Sequence, residues 1–277
     1  MTPDVLLVGH IAKDITDDGW RAGGGVLYAA AQCRKLGLNV SCVTACGPEI
    51  EPESLMPDVS WLVVRDESST TFENRYAEGH RTQRLLARAR PLAGEDIPDA
   101  WQAAPIVLLM SVFQDVEVDI ISQFSCSATL LGVSTQGWLR EVDITTVRQN
   151  TAIPDGRSWQ GADALFVSEE DLIDSGAAAA WAEYVPAVAL TRGRQGSVVW
   201  DNGVRHEVPA MPATEIDPTG AGDVFAAAFT VRLHEVGDVL TAARFASAAA
   251  ALSVQGRGAE AVAEREAIDE ILRREAA

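Results

Sequence analysis

Short apolar runs recur along this chain: Val5–Gly9, Val40–Ala45, Ile106–Ser111, Thr129–Ser134, Ala164–Ser168 and Ala187–Thr191. They are apolar at nearly every position, without the polar alternation of a half-exposed strand. Such runs fit strands buried on both faces, which is the situation in a parallel sheet covered by helices. Helical patterns lie between and after them, at Val26–Leu36 (closed by Gly37), Asp115–Phe124, Asp238–Val254 and Ala259–Arg274. Strand alternating with helix predicts a three-layer α/β/α domain with a mostly parallel central sheet. The 277 residues suit one such domain spanning 1–277. The rhythm breaks between Trp61 and Leu92, where short strand patterns are separated by polar turns. Residues 61–92 are therefore expected to form a small inserted β lid, with Trp61 or Val63 exposed to pair it in a homodimer. Arg75, Arg81, Arg84, Arg88 and Arg90 concentrate in this segment. They are either a solvated, aggregation-resistant edge or positive charge carried over a substrate.

The most informative run is Ile216-Asp-Pro-Thr-Gly-Ala-Gly-Asp-Val-Phe-Ala-Ala-Ala-Phe229. A turn at Asp217-Pro218-Thr219 leads into Gly220-Ala221-Gly222-Asp223, and an apolar helix follows at once. Small residues at a helix start leave backbone N–H groups open beneath the positive end of the dipole, which is a cradle for an anion. Asp223 repels an anion unless it takes a proton from a nucleophile beside it. Cradle and base together suit phosphoryl transfer to a hydroxyl; the plainer account is a Gly-rich turn with Asp223 capping a buried helix.

Asp-Pro-Thr-Gly-Ala-Gly-Asp followed by an apolar helix resembles the C-terminal signature of the PfkB or ribokinase-like carbohydrate kinases. The resemblance implies a ribokinase-like fold, Asp223 as catalytic base, and the amides of Gly220, Ala221 and Gly222 as the anion hole. Other segments extend it along nearly the whole chain. Gly23-Gly24-Gly25 before a helix is similar to the family's N-terminal glycine signature, which lines the substrate pocket. Tyr28 stands where ribokinases commonly carry an Asn that touches the sugar, which makes plain ribose a poorer candidate and leaves Tyr28 to stack on or bond another substrate. Ser134-Thr-Gln-Gly-Trp-Leu-Arg140 resembles the D-x-Q-G-x-x-R variant of the inositol kinase branch, with Ser134 in place of Asp. It implies Gln136 on substrate hydroxyls and Arg140 facing the transferring phosphoryl. Asp14, in the loop His10–Asp18 at a strand's carboxyl end, is a further acceptor for hydroxyls, or simply a turn former.

For the donor, the resemblance implies ATP bordered by Thr191, Gly193 and Gly196 and by Ser253 and Gly256 after the penultimate helix. Where the family has N-x-x-E, this chain has Ser168-x-x-Asp171 opening an expected helix. It implies Mg²⁺ positioned through water by Glu170 or Asp171, and a monovalent cation such as K⁺ near Asp217 and Thr219. The reading is therefore an ATP-dependent kinase of a small polyol or sugar. A nucleoside kinase of the same fold and a catalytically quiet nucleotide or sugar sensor remain open at this level.

Composition sets the exclusions. A net charge of −18 disfavours nucleic acid and anionic membrane surfaces as partners. It also obliges an ATP site to supply positive charge locally. No G-x-x-x-x-G-K-[ST] loop and no G-x-G-x-x-G after the first strand occur, which removes P-loop and dinucleotide readings. No apolar stretch has bilayer-spanning length, no signal-peptide pattern opens the chain, and Cys33, Cys42, Cys46 and Cys126 have no paired spacing. Reduced, buried thiols and a cytoplasmic setting are expected.

Overall fold

The computed structural model describes residues 2–77, 80–125 and 129–275. The chain opens with strand β1 (Val5–Val8), a hairpin of β2 (Ala12–Thr16) and β3 (Gly19–Gly23), helix α1 (Gly25–Lys35) and β4 (Val40–Cys46). Next come α2 (Pro52–Leu55), β5 (Ser60–Arg65), the hairpin β6 (Thr71–Ala77) and β7 (His80–Ala87), β8 (Ile106–Met110), α3 (Ile120–Phe124) and β9 (Leu130–Ser134). A third hairpin, β10 (Arg140–Asp143) and β11 (Thr146–Gln149), precedes β12 (Ala164–Ser168), α4 (Gly176–Trp181) and β13 (Ala187–Thr191). The remainder is β14 (Ser197–Asp201), β15 (Val204–Val208), α5 (Ala221–Val236), α6 (Val239–Ser253) and α7 (Arg265–Glu275).

The runs that are apolar throughout do form the centre. A nine-stranded sheet runs in the order β15-β14-β13-β12-β9-β8-β1-β4-β5. It is parallel from β13 through β5, and antiparallel only where β14 and β15 join β13. Within β1, Val5 and Leu7 face the core that holds α1, α5 and α6, whereas Leu6 and Val8 face the opposite core with Trp159 and Trp181. Burial on both faces is why polar alternation is missing. Helix α5 is buried on every side from Val224 to Val231 for the same reason. Its small residues Ala226, Ala227 and Ala228 let it approach closely, and Phe225 and Phe229 meet Phe166 of β12 edge-on.

The strand-ending crevice lies where the order reverses, between β1 and β8, and open α/β sheets hold ligands there. A second sheet, β10-β11-β7-β6-β2-β3, covers this end. It differs from the expected 61–92 insert in two ways. Residues 61–64 belong to β5 on the edge of the large sheet, where Trp61 and Val63 pack against its core and Trp61 Nε1 donates to the Met56 carbonyl. The covering sheet also recruits residues 12–23 and 140–149, so the expected loop His10–Asp18 contains a strand. The expected helix from Glu169 is a single 3₁₀ turn, although Ser168 Oγ does accept from the Glu170 N–H. Cys33, Cys42 and Cys46 are free and buried, and burial pushes the Cys33 thiol up to about 12. Cys126 lies outside the described residues.

Candidate active site

Helix α5 begins at the crevice. Gly220 holds a left-handed conformation (φ 80°) as its N-cap, and a Cβ there would lie 2.2 Å from the Tyr28 ring. Glycine is thus required both for the turn and for the close approach of α1. The Ala221 N–H donates to the Pro218 carbonyl at 3.2 Å, so that member of the expected anion hole already has a partner. Gly222 is exposed and a Cβ on it would meet nothing within 4 Å. An anion arriving at the helix start therefore has open space at Gly222.

Asp223 stands beside that space. Its Oδ1 is packed so closely on α1 that a Cβ on Gly25 would sit 2.7 Å away. Burial pushes its carboxyl up to about 7, Arg140 pulling it down and Asp171 pushing it up. A carboxylate poised near neutrality suits proton abstraction at physiological pH.

Tyr28 is buried (5% exposed). Burial pushes its phenol up to about 12; Asp217, Asp223 and Asp14 add to this and Arg21 opposes it. One phenol therefore feels four charged groups from β2, β3, the turn before α5, and α5 itself. Because its ring is covered by Gly220, it is not a platform for stacking a base, which corrects that part of the expectation. Asp14 abuts Gly23, whose Cβ would lie 2.2 Å from Asp14 Oδ2, and a Cβ on Gly24 (φ 95°) would strike the His10 carbonyl. The glycines expected to line the pocket thus allow the β2–β3 hairpin to fold onto the start of α1. Asp217 Oδ1 accepts from the Thr219 N–H at 3.0 Å, and its Oδ2 lies 3.8 Å from Arg21 Nη1. The two residues expected near a monovalent cation therefore form a closed turn whose carboxylate already faces a guanidinium.

On the other flank, Arg140 and Asp171 form an ion pair with side chains 15% and 10% exposed. Arg140 Nε and Nη2 both donate to Asp171 Oδ1, at 3.2 and 3.1 Å, and Gln136 Nε2 donates to Asp171 Oδ2 at 3.1 Å. Both oxygens of Asp171 are thus engaged by protein donors, while Glu170 points to solvent. Among the described residues no group of three or more His, Cys, Asp or Glu is arranged to hold a metal. Of the acids expected to position Mg²⁺ through water, Asp171 is engaged by Arg140 and Gln136 and Glu170 is exposed, and Gln136 is turned to Asp171 instead of standing free for a hydroxyl.

The expected donor-side residues flank the same turn. Arg194 pairs with Glu215 at 3.3 Å, and the Val254 carbonyl accepts from the N–H groups of Ile216 and Asp217. These bonds tie the Thr191–Gly196 turn and the end of α6 to the cradle. Thr191 Oγ1 donates to the Val167 carbonyl, Gly193 and Gly196 take left-handed conformations, and Ser253 Oγ donates to the Ala250 carbonyl. Gly256 packs against Ala261, where a Cβ would come within 2.7 Å. Ser253 and Gly256 are thus explained by the closure of α6.

Among the described side chains, three of the arginines from Arg75 to Arg90 are paired with carboxylates. Arg75 and Arg84 pair with Glu73, Arg88 donates to Gln114, and Arg90 pairs with Asp96. The side chain of Arg81 lies outside the described ones. Sequence reasoning missed Asn74 and Gln83, the polar pair on the inner face, because a strand's pattern does not reveal which face meets a pocket.

Comparison with known proteins agrees with this architecture. Residues 160–266 match the model of the pfkB family carbohydrate kinases. The ribokinase of Bacillus subtilis (strain 168) is 41% identical over 95 residues, 34% of this chain but 32% of that protein. The cytidine kinase of Thermococcus kodakarensis is 22% identical over 250 residues, 82% of this chain and 87% of that protein. Among solved structures, a pyrophosphate-dependent kinase in the ribokinase family, complexed with a pyrophosphate analog and myo-inositol, superposes with a TM-score of 0.80 at 20% identity. That likeness covers 96% of this chain and 99% of the other, and it shows the shared fold.

Proposed function

We propose that the chain is a carbohydrate kinase of the pfkB family, whose model residues 160–266 match, and that it phosphorylates a hydroxyl of a small polyol or sugar. The observation that carries the reading is Asp223: a carboxyl held near neutrality, beside a helix start left open at Gly222. In this mechanism the donor supplies a transferable phosphoryl group. The N–H groups at the start of α5 and its dipole stabilise the phosphoryl oxygens. Asp223 accepts the hydroxyl proton as that oxygen attacks, which contributes roughly 10²–10⁴ in rate. Arg140 offsets developing charge from the Asp171 side.

Substrate class follows from what faces the crevice. Asp14, Arg21 and Asn74 make this side of the fold polar, whereas the nearby aromatic Tyr28 has its ring covered. This favours a hydroxyl-rich acceptor over a nucleoside. For the donor, ATP and inorganic pyrophosphate both present the phosphoryl anion the cradle accepts.

The test is phosphate transfer from ATP or pyrophosphate, with Mg²⁺ in the buffer, to myo-inositol, ribose, fructose and cytidine. Transfer to a polyol or sugar in preference to cytidine is expected, together with a loss of about 10³-fold or more in kcat for Asp223→Asn. Near wild-type turnover by that variant removes the base assignment, and a preference for cytidine removes the polyol.

A further inference from the structure

Gln83 sits on β7 directly across from Asn74 of β6, in the file of residues that includes Leu85 and Phe72. Phe72 and Leu85 pack on Val112 and Phe113, and alternate residues of a strand share a face. Gln83 therefore looks into the crevice. Its Nε2 donates to Asn74 Oδ1 at 3.0 Å, and its Oε1 accepts from Arg140 Nη1 at 3.3 Å. A guanidinium only donates, so the carbonyl end of the amide is the end that faces Arg140.

The way Arg140 is held gives this contact its importance. Both bonds to Asp171 end on the same oxygen, Oδ1. They act as a pivot, not as the two-oxygen clamp that fixes a guanidinium plane. Beyond the pivot, Nη1 has the Val112 carbonyl at a long 3.4 Å and the Gln83 carbonyl. Val112 and Asp171 lie in loops of the main domain, whereas Arg140 opens β10 and Gln83 lies on β7, two strands of the covering sheet that β11 separates.

We propose that Gln83 is a positioning residue: it locks the free arm of Arg140, so that the guanidinium faces the transferring phosphoryl when the β6–β7 hairpin is seated. The assignment rests on the phosphotransfer reading above. It gives the β6–β7 hairpin a part in the chemical step that is separate from touching the acceptor.

A double-mutant cycle on the full chain tests it, using kcat, acceptor KM and melting temperature of Gln83→Leu, Arg140→Met and the pair. Gln83→Leu is expected to lower kcat about tenfold, with acceptor KM within about twofold of wild type. In the Arg140→Met background the same change is expected to cost no further kcat, because its effect passes through the arginine. Gln83→Glu, which keeps an acceptor for Arg140, is expected to retain more kcat than Gln83→Leu, and Gln83→Ala takes the place of Leu in the cycle if that variant misfolds. Losses that multiply in the double variant, or a defect confined to acceptor KM, overturn the proposal and leave the kinase reading intact. A wild-type protein that transfers phosphate from neither donor to any alcohol removes both.

Discussion

At the scale of single residues, Asp223 links the fold to pH. Burial raises its carboxyl to about 7 against an ordinary 3.8. A base works deprotonated, so kcat/KM is expected to climb with pH through an inflection near 7 and then level off. Arg140 lowers this value, so Arg140→Met is expected to move the inflection upward; a downward shift contradicts the placement of that charge. The same burial has a stability consequence of fixed sign. Between the unfolded value and about 7 the folded protein keeps a proton that the unfolded chain has released, so stability falls as pH rises through that window. Asp223→Asn has no such proton to lose. Its melting temperature is expected to match wild type near pH 4 and exceed it by about 2–6 °C at pH 8. An equal or lower melting temperature at pH 8 means that the carboxyl is not penalised by burial. A variant that gains stability while losing turnover is the pattern of a group retained for chemistry.

At the scale of elements, the start of α5 separates two kinds of glycine. Gly220→Ala must hold a left-handed φ and also drive a methyl into Tyr28. It is expected to cost about 2–4 kcal/mol of stability, seen in denaturant unfolding. Gly222→Ala meets only open space and adds a good helix former. Its stability is expected to stay within about 1 kcal/mol of wild type, while kcat falls at least tenfold because the methyl occupies the anion's approach. An unimpaired Gly222→Ala enzyme places the phosphoryl group elsewhere. This cradle was legible in the sequence because its chemistry is local: a turn, small residues and an apolar helix are contiguous. The parallel strands were legible for a related reason, since burial on both faces leaves them apolar throughout. The hairpins β2–β3 and β10–β11 were not. Their strands are partly buried or exposed at nearly every position, so hydrophobic periodicity is erased. Asp17-Asp18-Gly19 did offer a turn signal for the first hairpin. The second turns at Ile144, a β-branched residue at φ 56° and 95% exposed, which no turn preference anticipates. The pairing of Arg140 with Asp171 was equally hidden, because 31 residues separate them and only the adjacency of β9 and β12 brings their loops together.

At the scale of the whole molecule, the covering sheet is assembled from hairpins that follow β1, β5 and β9, so it is not a cassette that can be cut out. Removing residues 71–87 deletes its two central strands and bares Val112 and Phe113, which makes deletion a poor probe of substrate contacts. The sheet is nevertheless held down lightly. Its apolar seam is Ala12, Phe72, Val112 and Phe113 with Leu85 and Val147, whereas the large sheet is buried on both faces by far larger clusters. Local opening free energy follows buried apolar contact, so the covering sheet is expected to open without the core unfolding. Hydrogen exchange reads this directly. Amides of β7 and β11 are expected to exchange at least tenfold faster than those of β1 and β8. Adding an acceptor together with a non-hydrolysable donor analogue is expected to slow β7 and β11 while leaving β1 and β8 unchanged. Protection that changes equally in both sheets makes the molecule one cooperative unit and leaves Gln83 no separate motion to transmit. Protection gained in β7 and β11 alone means that the ligands themselves complete the closure.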